Sequence, residues 1–119
     1  AASDVYKRQA PDHKPPSAED TIEGRYAGVL FTTASQQEAL FSIYEDMVYL
    51  GEIYNDSETF RLFTQNGGVG RIEITKFNEG LQQMASFHPL TIKFLEILAE
   101  NKRLVFIEGI IKRYIKLYQ

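Results

Sequence analysis

From Ile22 to the last residue, Gln119, the chain contains one proline, Pro89, and its apolar residues recur at helical spacing almost throughout. Residues at i, i+3, i+4 and i+7 share one side of an α-helix, whereas a half-buried strand alternates every second residue. Proline breaks a helix because it lacks an amide donor and its ring collides with the preceding turn. A stretch this long with one proline is therefore free to be helical nearly end to end. The fold class predicted is all-α, with no sheet.

Local signals divide the stretch into six helices. Helix 1 is expected from about Glu23 to Ala34. "SQQE" (Ser35 to Glu38) fits a capping box that opens helix 2, which carries Leu40, Phe41, Ile43, Tyr44, Met47, Val48, Leu50 and Ile53. "YNDSE" ends helix 2 and offers Asp56 or Ser57 as N-cap of a short helix 3 through Phe60, Leu62 and Phe63. "QNGGVGR" (Gln65 to Arg71) is a loop whose glycines allow positive φ. Helix 4 is predicted from an N-cap near Thr75 to about Ala85, with Gly80 weakening it by ~1 kcal/mol relative to alanine. Pro89 suits the first position of helix 5, with His88 as its cap. "ENKR" then joins helix 5 to helix 6, Leu104 to Leu117, where Lys112, Arg113 and Lys116 complement the helix dipole. Joins this short imply antiparallel neighbours and a compact six-helix bundle. Residues 1–21 hold three of the four prolines and read as a disordered or extended arm. Its opening "AASDVYKRQ" resembles translated adapter sequence or a presequence remnant, and no function is placed there.

The chemical inventory is thin. There is no cysteine, hence no disulfide framework, thiolate zinc site or cysteine nucleophile. The two histidines are His13, in the arm, and His88, which a helix cap accounts for. The carboxylate pairs Glu45–Asp46 and Glu96–Glu100 lack the Glu-x-x-His motifs of a dimetal bundle, and Glu96 and Glu100 read with Lys93 as a solvated edge. "QNGGVGR" is followed by no Lys-Ser/Thr pair and preceded by no strand, so it is not a phosphate loop. A net charge of −3 and basic residues separated by apolar ones on helix 6 argue against nucleic acid. No run approaches the ~18 apolar residues of a membrane span, and no apolar signal region opens the chain. The expectation is a non-catalytic protein with no cofactor, no metal and no membrane insertion.

Two helices carry more apolar surface than one-sided packing needs. The apolar positions of helix 5 cover an arc of about 220° and those of helix 1 roughly 200°, where a surface helix needs little more than 100°. On helix 5, Ile92, Leu95, Leu98 and Ala99 point one way; Leu90, Phe94 and Ile97 point another, with Asn101 following on the same line. On helix 1, Ala27, Leu30, Phe31 and Ala34 form one face, while Tyr26 and Val29, extended by Ile22 and Thr33, form a second. If the first sets fill the core, the second sets could lie side by side as a groove for a partner's amphipathic helix. The alternative is that the chain wraps both faces itself, and periodicity does not decide between them.

"IEGRYAGVLFTTA" (Ile22 to Ala34) followed by "HPLTIKFLEILAENKRLVFIEGIIKRYIKL" (His88 to Leu117) resembles the N-terminal domain of the oligomycin sensitivity conferral protein and delta subunit family of ATP synthases. The family's Arg-Tyr-Ala and following leucine on helix 1 are matched by Arg25, Tyr26, Ala27 and Leu30. Its Phe-Leu-x-Leu-Leu-Ala-Glu-Asn-x-Arg-Leu signature is matched by "FLEILAENKRL", Phe94 to Leu104, with Ile97 the one aliphatic change. The likeness is specific at its two ends and weak from Glu38 to Ala85, and "IEGRYA" is closer to the mitochondrial branch.

The resemblance implies a six-helix bundle on top of F1, a stator part that joins F1 to the peripheral stalk and supports proton-driven ATP synthesis. It implies a groove between helices 1 and 5 for the N-terminal helix of an F1 alpha subunit. The family's groove positions fall on Tyr26 and Ile97, with Val29, Thr33, Leu90, Phe94 and Asn101 as neighbours from helical geometry. Arg103 is expected to fix the turn between helices 5 and 6. The location implied is the matrix side of the mitochondrial inner membrane, peripheral to it, without homo-oligomers. Family members continue into a small α/β domain that grips the peripheral-stalk subunits; this sequence stops at Gln119, as expected of a fragment without that domain. A different class of function fits the same surface: an unrelated all-α scaffold that homodimerises through it.

Overall fold

The computed structural model describes residues 21–119, and among these there are six α-helices and no strand. They are α1 (Ile22–Gln36), α2 (Leu40–Asp56), α3 (Glu58–Gln65), α4 (Arg71–Met84), α5 (Pro89–Glu100) and α6 (Ile107–Tyr118). One turn of 3-10 helix, Leu104–Phe106, leads into α6, so the first residues expected of helix 6 wind more tightly than an α-helix. The predicted arm, with His13, lies outside the described residues except for Thr21. That residue instead caps α1: its Oγ1 accepts a hydrogen bond from the Gly24 amide at 2.9 Å.

α6 is the central post, with α1 and α2 packed along it, while α4 and α5 pair with each other. Ile43, Met47 and Leu50 from α2, Leu95 and Leu98 from α5 and Ile107 and Ile110 from α6 are fully buried. Gly109 permits the close crossing of α6 on α1; a Cβ there would sit 2.6 Å from Glu23 Cγ. Tyr114, fully buried on α6, donates from its hydroxyl to the Leu40 carbonyl at 2.8 Å and so pins the start of α2. Aromatic rings join α2, α3 and α4: Tyr54 meets Phe60 edge-on at 6.1 Å, and Phe77 stacks on Phe60 and Phe63 at 5.1 and 4.9 Å. Arg61 of α3 reaches back so that one guanidinium nitrogen donates to the carbonyls of Tyr54 (2.7 Å) and Asn55 (2.9 Å), closing the end of α2.

Two local expectations are overturned, and a third segment, the "QNGGVGR" loop, forms as expected without using its glycines' freedom. "SQQE" does not open α2. Ser35 lies in the last turn of α1, and α2 begins after Ala39 with no side-chain cap. The segment ends α1 instead: Glu38 takes φ 56°, its amide donates to Ser35 O (3.1 Å) and the Ala39 amide to Ala34 O (2.8 Å). That is the two-bond Schellman closure, with buried Ala34 and Ala39 as its apolar contact. Thr75 is no N-cap either. α4 starts at Arg71, where the Glu73 carboxylate accepts from the Gly70 amide at 2.9 Å, while Thr75 Oγ1 bonds back to Arg71 O. This bond holds the Glu73 carboxyl below its usual pKa. The "QNGGVGR" glycines all keep negative φ; Asn66 Oδ1 accepts from the Gly68 amide and buried Val69 anchors the loop. Of the alternatives after α2, Ser57 is the cap, its Oγ accepting from the Phe60 amide at 3.1 Å.

Candidate interaction groove between helices 1 and 5

The start of α5 is held from both sides of its first turn. His88 Nδ1 accepts from the Leu90 amide at 3.0 Å, with Pro89 at the first helical position as expected. Behind it, Asp46 of α2 is buried, and its Oδ2 accepts from the His88 amide (2.9 Å) and the Thr91 hydroxyl (2.6 Å). A carboxylate at a helix N-terminus takes the orphan amides and complements the dipole. The far end closes with a second Schellman turn: Lys102 at φ 59° donates to Ala99 O (3.1 Å) and the Arg103 amide to Leu98 O (2.8 Å). Arg103 thus takes part in the turn between helices 5 and 6 through its backbone. Glu100, expected to be only solvated, also pairs with Arg71 of α4 at 3.0 Å.

These fixtures set the rotation of α5 against α1. The core faces are as expected for Ala27, Leu30, Ala34, Leu95, Leu98 and Ala99, all buried. Phe31 is half-buried with its ring 5.8 Å from Tyr114, and Ile92 is half-buried rather than sealed. The second faces do meet. The Tyr26 ring lies edge-on to Phe94 at 6.3 Å and 65°, and Asn101 Nδ2 donates to the Tyr26 hydroxyl at 3.1 Å. The contact between α1 and α5 runs through these side chains. Phe94 is 6% exposed beneath Tyr26, and forms a floor rather than an open wall. Of the other residues expected at the groove, Thr33, Leu90 and Ile97 are half-buried, Asn101 is exposed, and Val29 stands 65% exposed.

Sequence reasoning expects Tyr26, Phe94 and Asn101 on facing lines but misses what holds α5 in place. In the sequence Asp46 reads only as half of an acidic pair. Its signal was there: an acid three residues after Ile43 and four before Leu50 falls within the core stripe of α2. Among the described residues no group of His, Asp and Glu could hold a metal, and no helix is long and apolar enough to cross a membrane. The resolved pKa departures, at Glu73 and Tyr114, both have structural causes away from this seam.

The described residues define an all-helical bundle in which Tyr26, Phe94 and Asn101 bridge α1 and α5. Residues 22–119 match the family model of the ATP synthase delta (OSCP) subunit, and the chain belongs to that family. Membership makes it a structural rather than a catalytic polypeptide. The mouse mitochondrial ATP synthase peripheral stalk subunit OSCP is 31% identical over 101 residues, 85% of this chain and 47% of its own length. An ATP synthase subunit delta from Rhizorhabdus wittichii is 31% identical over 94 residues, 79% of this chain and 51% of its own length. A chain in the cryo-EM structure of the Toxoplasma gondii mitochondrial ATP synthase hexamer superposes with a TM-score of 0.73 at 33% identity. That match covers 80% of this chain and 53% of the other. The chain spans about half the length of the relatives it matches.

Proposed function

We propose that this bundle is a stator adaptor that takes the N-terminal helix of an F1 alpha subunit along the seam between α1 and α5. In this reading it links F1 to the peripheral stalk on the matrix side of the mitochondrial inner membrane. The observation that carries it is the Tyr26–Phe94–Asn101 bridge, flanked by exposed Val29 and half-buried Leu90 and Ile97. A ring edge on an apolar floor, with its hydroxyl already satisfied at the rim, is a surface a partner's apolar stripe can cover without stranding a polar group. Family membership and the mitochondrial names of several relatives support the setting. Grip on the stalk subunits falls to the part of the family's length that this chain does not span.

Calorimetric titration of the chain with a synthetic alpha N-terminal peptide tests the reading. Tyr26→Ala and Ile97→Ala should each weaken binding by ~2 kcal/mol, about 30-fold, as for a buried anchor. Wild-type affinity in both variants refutes it. A tight homodimer in sedimentation, closed over Val29 and Ile97, would favour the self-associating scaffold.

A further inference from the structure

The large apolar residues of α4 are Ile72, Ile74, Phe77, Leu81 and Met84. Ile74 and Leu81 are buried and Phe77 is half-buried, but Ile72 and Met84 stand exposed at the two ends of the helix. By contrast Ile43, Met47, Leu50 and Tyr54 of α2 and Ile107, Ile110, Ile111 and Tyr114 of α6 are all buried. The difference matters because a helix of 14 residues is marginal alone in water and depends on the apolar surface it buries. The buried stripe of α4 also contains a polar residue that opposes folding. Asn78 lies between Ile74 and Leu81 and is buried, yet neither its Nδ2 nor its Oδ1 has a hydrogen-bond partner. A buried amide left unpaired has lost hydration that it regains when the helix opens.

Gly80, two residues on, weakens the same helix. A Cβ there would meet nothing within 4 Å, so no close approach requires the glycine, and what remains is its poor helix propensity. The ion pair from Arg71 to Glu100, at 3.0 Å, links α4 to the end of α5, but it is exposed and adds little. Both flanks of α4 are free of helix. Residues 66–70 before it include Gly67, Gly68 and Gly70, none at positive φ; the closed loop leaves their freedom unused, and it becomes available once α4 lets go. Residues 85–88 after it are tied to α4 by Gln82, whose Oε1 accepts from the Phe87 amide at 3.0 Å. α5, in contrast, is anchored without α4. Asp46 of α2 holds the His88 amide and the Thr91 hydroxyl, the Tyr49 ring of α2 lies 5.6 Å from Phe87, and Asn101 joins Tyr26 of α1.

We propose that α4 is a flap. It lifts from α5 and unwinds as one unit, hinged at 66–70 and 85–88, while α1, α2, α5 and α6 stay folded. Proteins open in such cooperative parts where one element buries little apolar surface. Opening lets Asn78 regain water, takes the Phe77 ring off Phe60 and Phe63, and frees Ile74, Phe77 and Leu81 from the bundle. α5 keeps its hold on α1 and α2 throughout.

Amide hydrogen exchange of the 15N-labelled 119-residue chain, followed in increasing urea below the unfolding transition, tests the flap. After correction for intrinsic rates, amides of residues 76–82 should exchange about 10-fold or more faster than those of Met47, Leu50, Ile111 and Tyr114. They should do so as one group, with a shared urea dependence smaller than that of global unfolding. Leu95 and Leu98 of α5 should stay with the slow group. Gly80→Ala should slow the α4 group about 5-fold, which is ~1 kcal/mol of helix propensity at 1.4 kcal/mol per tenfold. Asn78→Leu should slow it about 10-fold by removing the unpaired amide. Equal rates in α4 and α6 overturn the inference, as does α4 exchange without urea dependence, the mark of residue-by-residue fraying. So do loss of protection at Leu95 and Leu98 along with α4, or unchanged α4 rates in both variants. No partner helix enters these readouts, so their outcome is independent of the alpha-peptide titration at Tyr26 and Ile97.

Discussion

Asp46 joins α2 to the N-terminus of α5, and removing it should loosen the helix that carries Leu90, Phe94 and Ile97. In Asp46→Ala the Thr91 hydroxyl, at 0% exposure, loses its acceptor where water does not readily replace it. The His88 amide, only part-buried, loses its acceptor too but can recover some hydration. Leaving a buried donor unmade costs about 1–3 kcal/mol, so we assign ~2 kcal/mol to Thr91 and ~1 kcal/mol to His88. The sum, about 3 kcal/mol, is a large share of the 5–15 kcal/mol typical of a domain. With a urea slope of ~1.5 kcal/mol/M the unfolding midpoint should fall by ~2 M. Asp46→Asn keeps an acceptor oxygen and should recover about half of this. Thr91→Val combined with Asp46→Ala should show a coupling of ~1–2 kcal/mol in a double-mutant cycle. A loss below ~1 kcal/mol for Asp46→Ala, or strict additivity with Thr91→Val, would refute the buried cap.

Glu38 and Lys102 hold left-handed φ at the C-terminal closures of α1 and α5, so Glu38→Gly and Lys102→Gly should each raise stability by ~0.5–1 kcal/mol in urea unfolding, although glycine also loosens the unfolded chain. Unchanged or lower midpoints in both would refute the assigned strain. Asn78, 4% exposed on α4 with neither amide atom hydrogen-bonded, should gain about 1–2 kcal/mol on replacement by leucine; destabilisation would mean the amide has a partner in solution. Burial, with a smaller push from Tyr118, raises the Tyr114 phenol to about 12. The neutral form is the one the fold prefers, so its contribution is complete below the ordinary value near 10 and is lost as pH climbs to 12. The stability gap between wild type and Tyr114→Phe should therefore narrow by roughly 2 kcal/mol across that range. A gap that does not change with pH would contradict the burial argument.

How much of this could be read beforehand differs from element to element. α5 was legible to the residue at its start, because His88-Pro89 is a local signal whose partners lie within one turn. The start of α4 is five residues earlier than expected, because Thr75 looks like a cap while Gly70 has no side chain to announce one. The closure of α1 was misread for a similar reason. Ser35 and Glu38 carry the chemistry of a helix start, and a glutamate in the left-handed region, where glycine is the usual choice, gives no warning. Of the residues expected on the two second faces, Tyr26, Phe94 and Asn101 touch one another, and the exposure of each was not legible in the periodicity. Phe94 is roofed by Tyr26 and Val29 is open, although both belong to second faces.

By itself the chain determined its class, its helix count, its core stripes and its poverty in catalytic groups, since periodicity, proline placement and residue types act over a turn or two and are written in the local order. Tertiary structure alone decided that Asp46 caps a helix about 45 residues away and that Asn101 reaches the Tyr26 hydroxyl. Those contacts depend on how helices rotate and cross once the core closes, and no local pattern encodes an angle between two segments far apart in the chain.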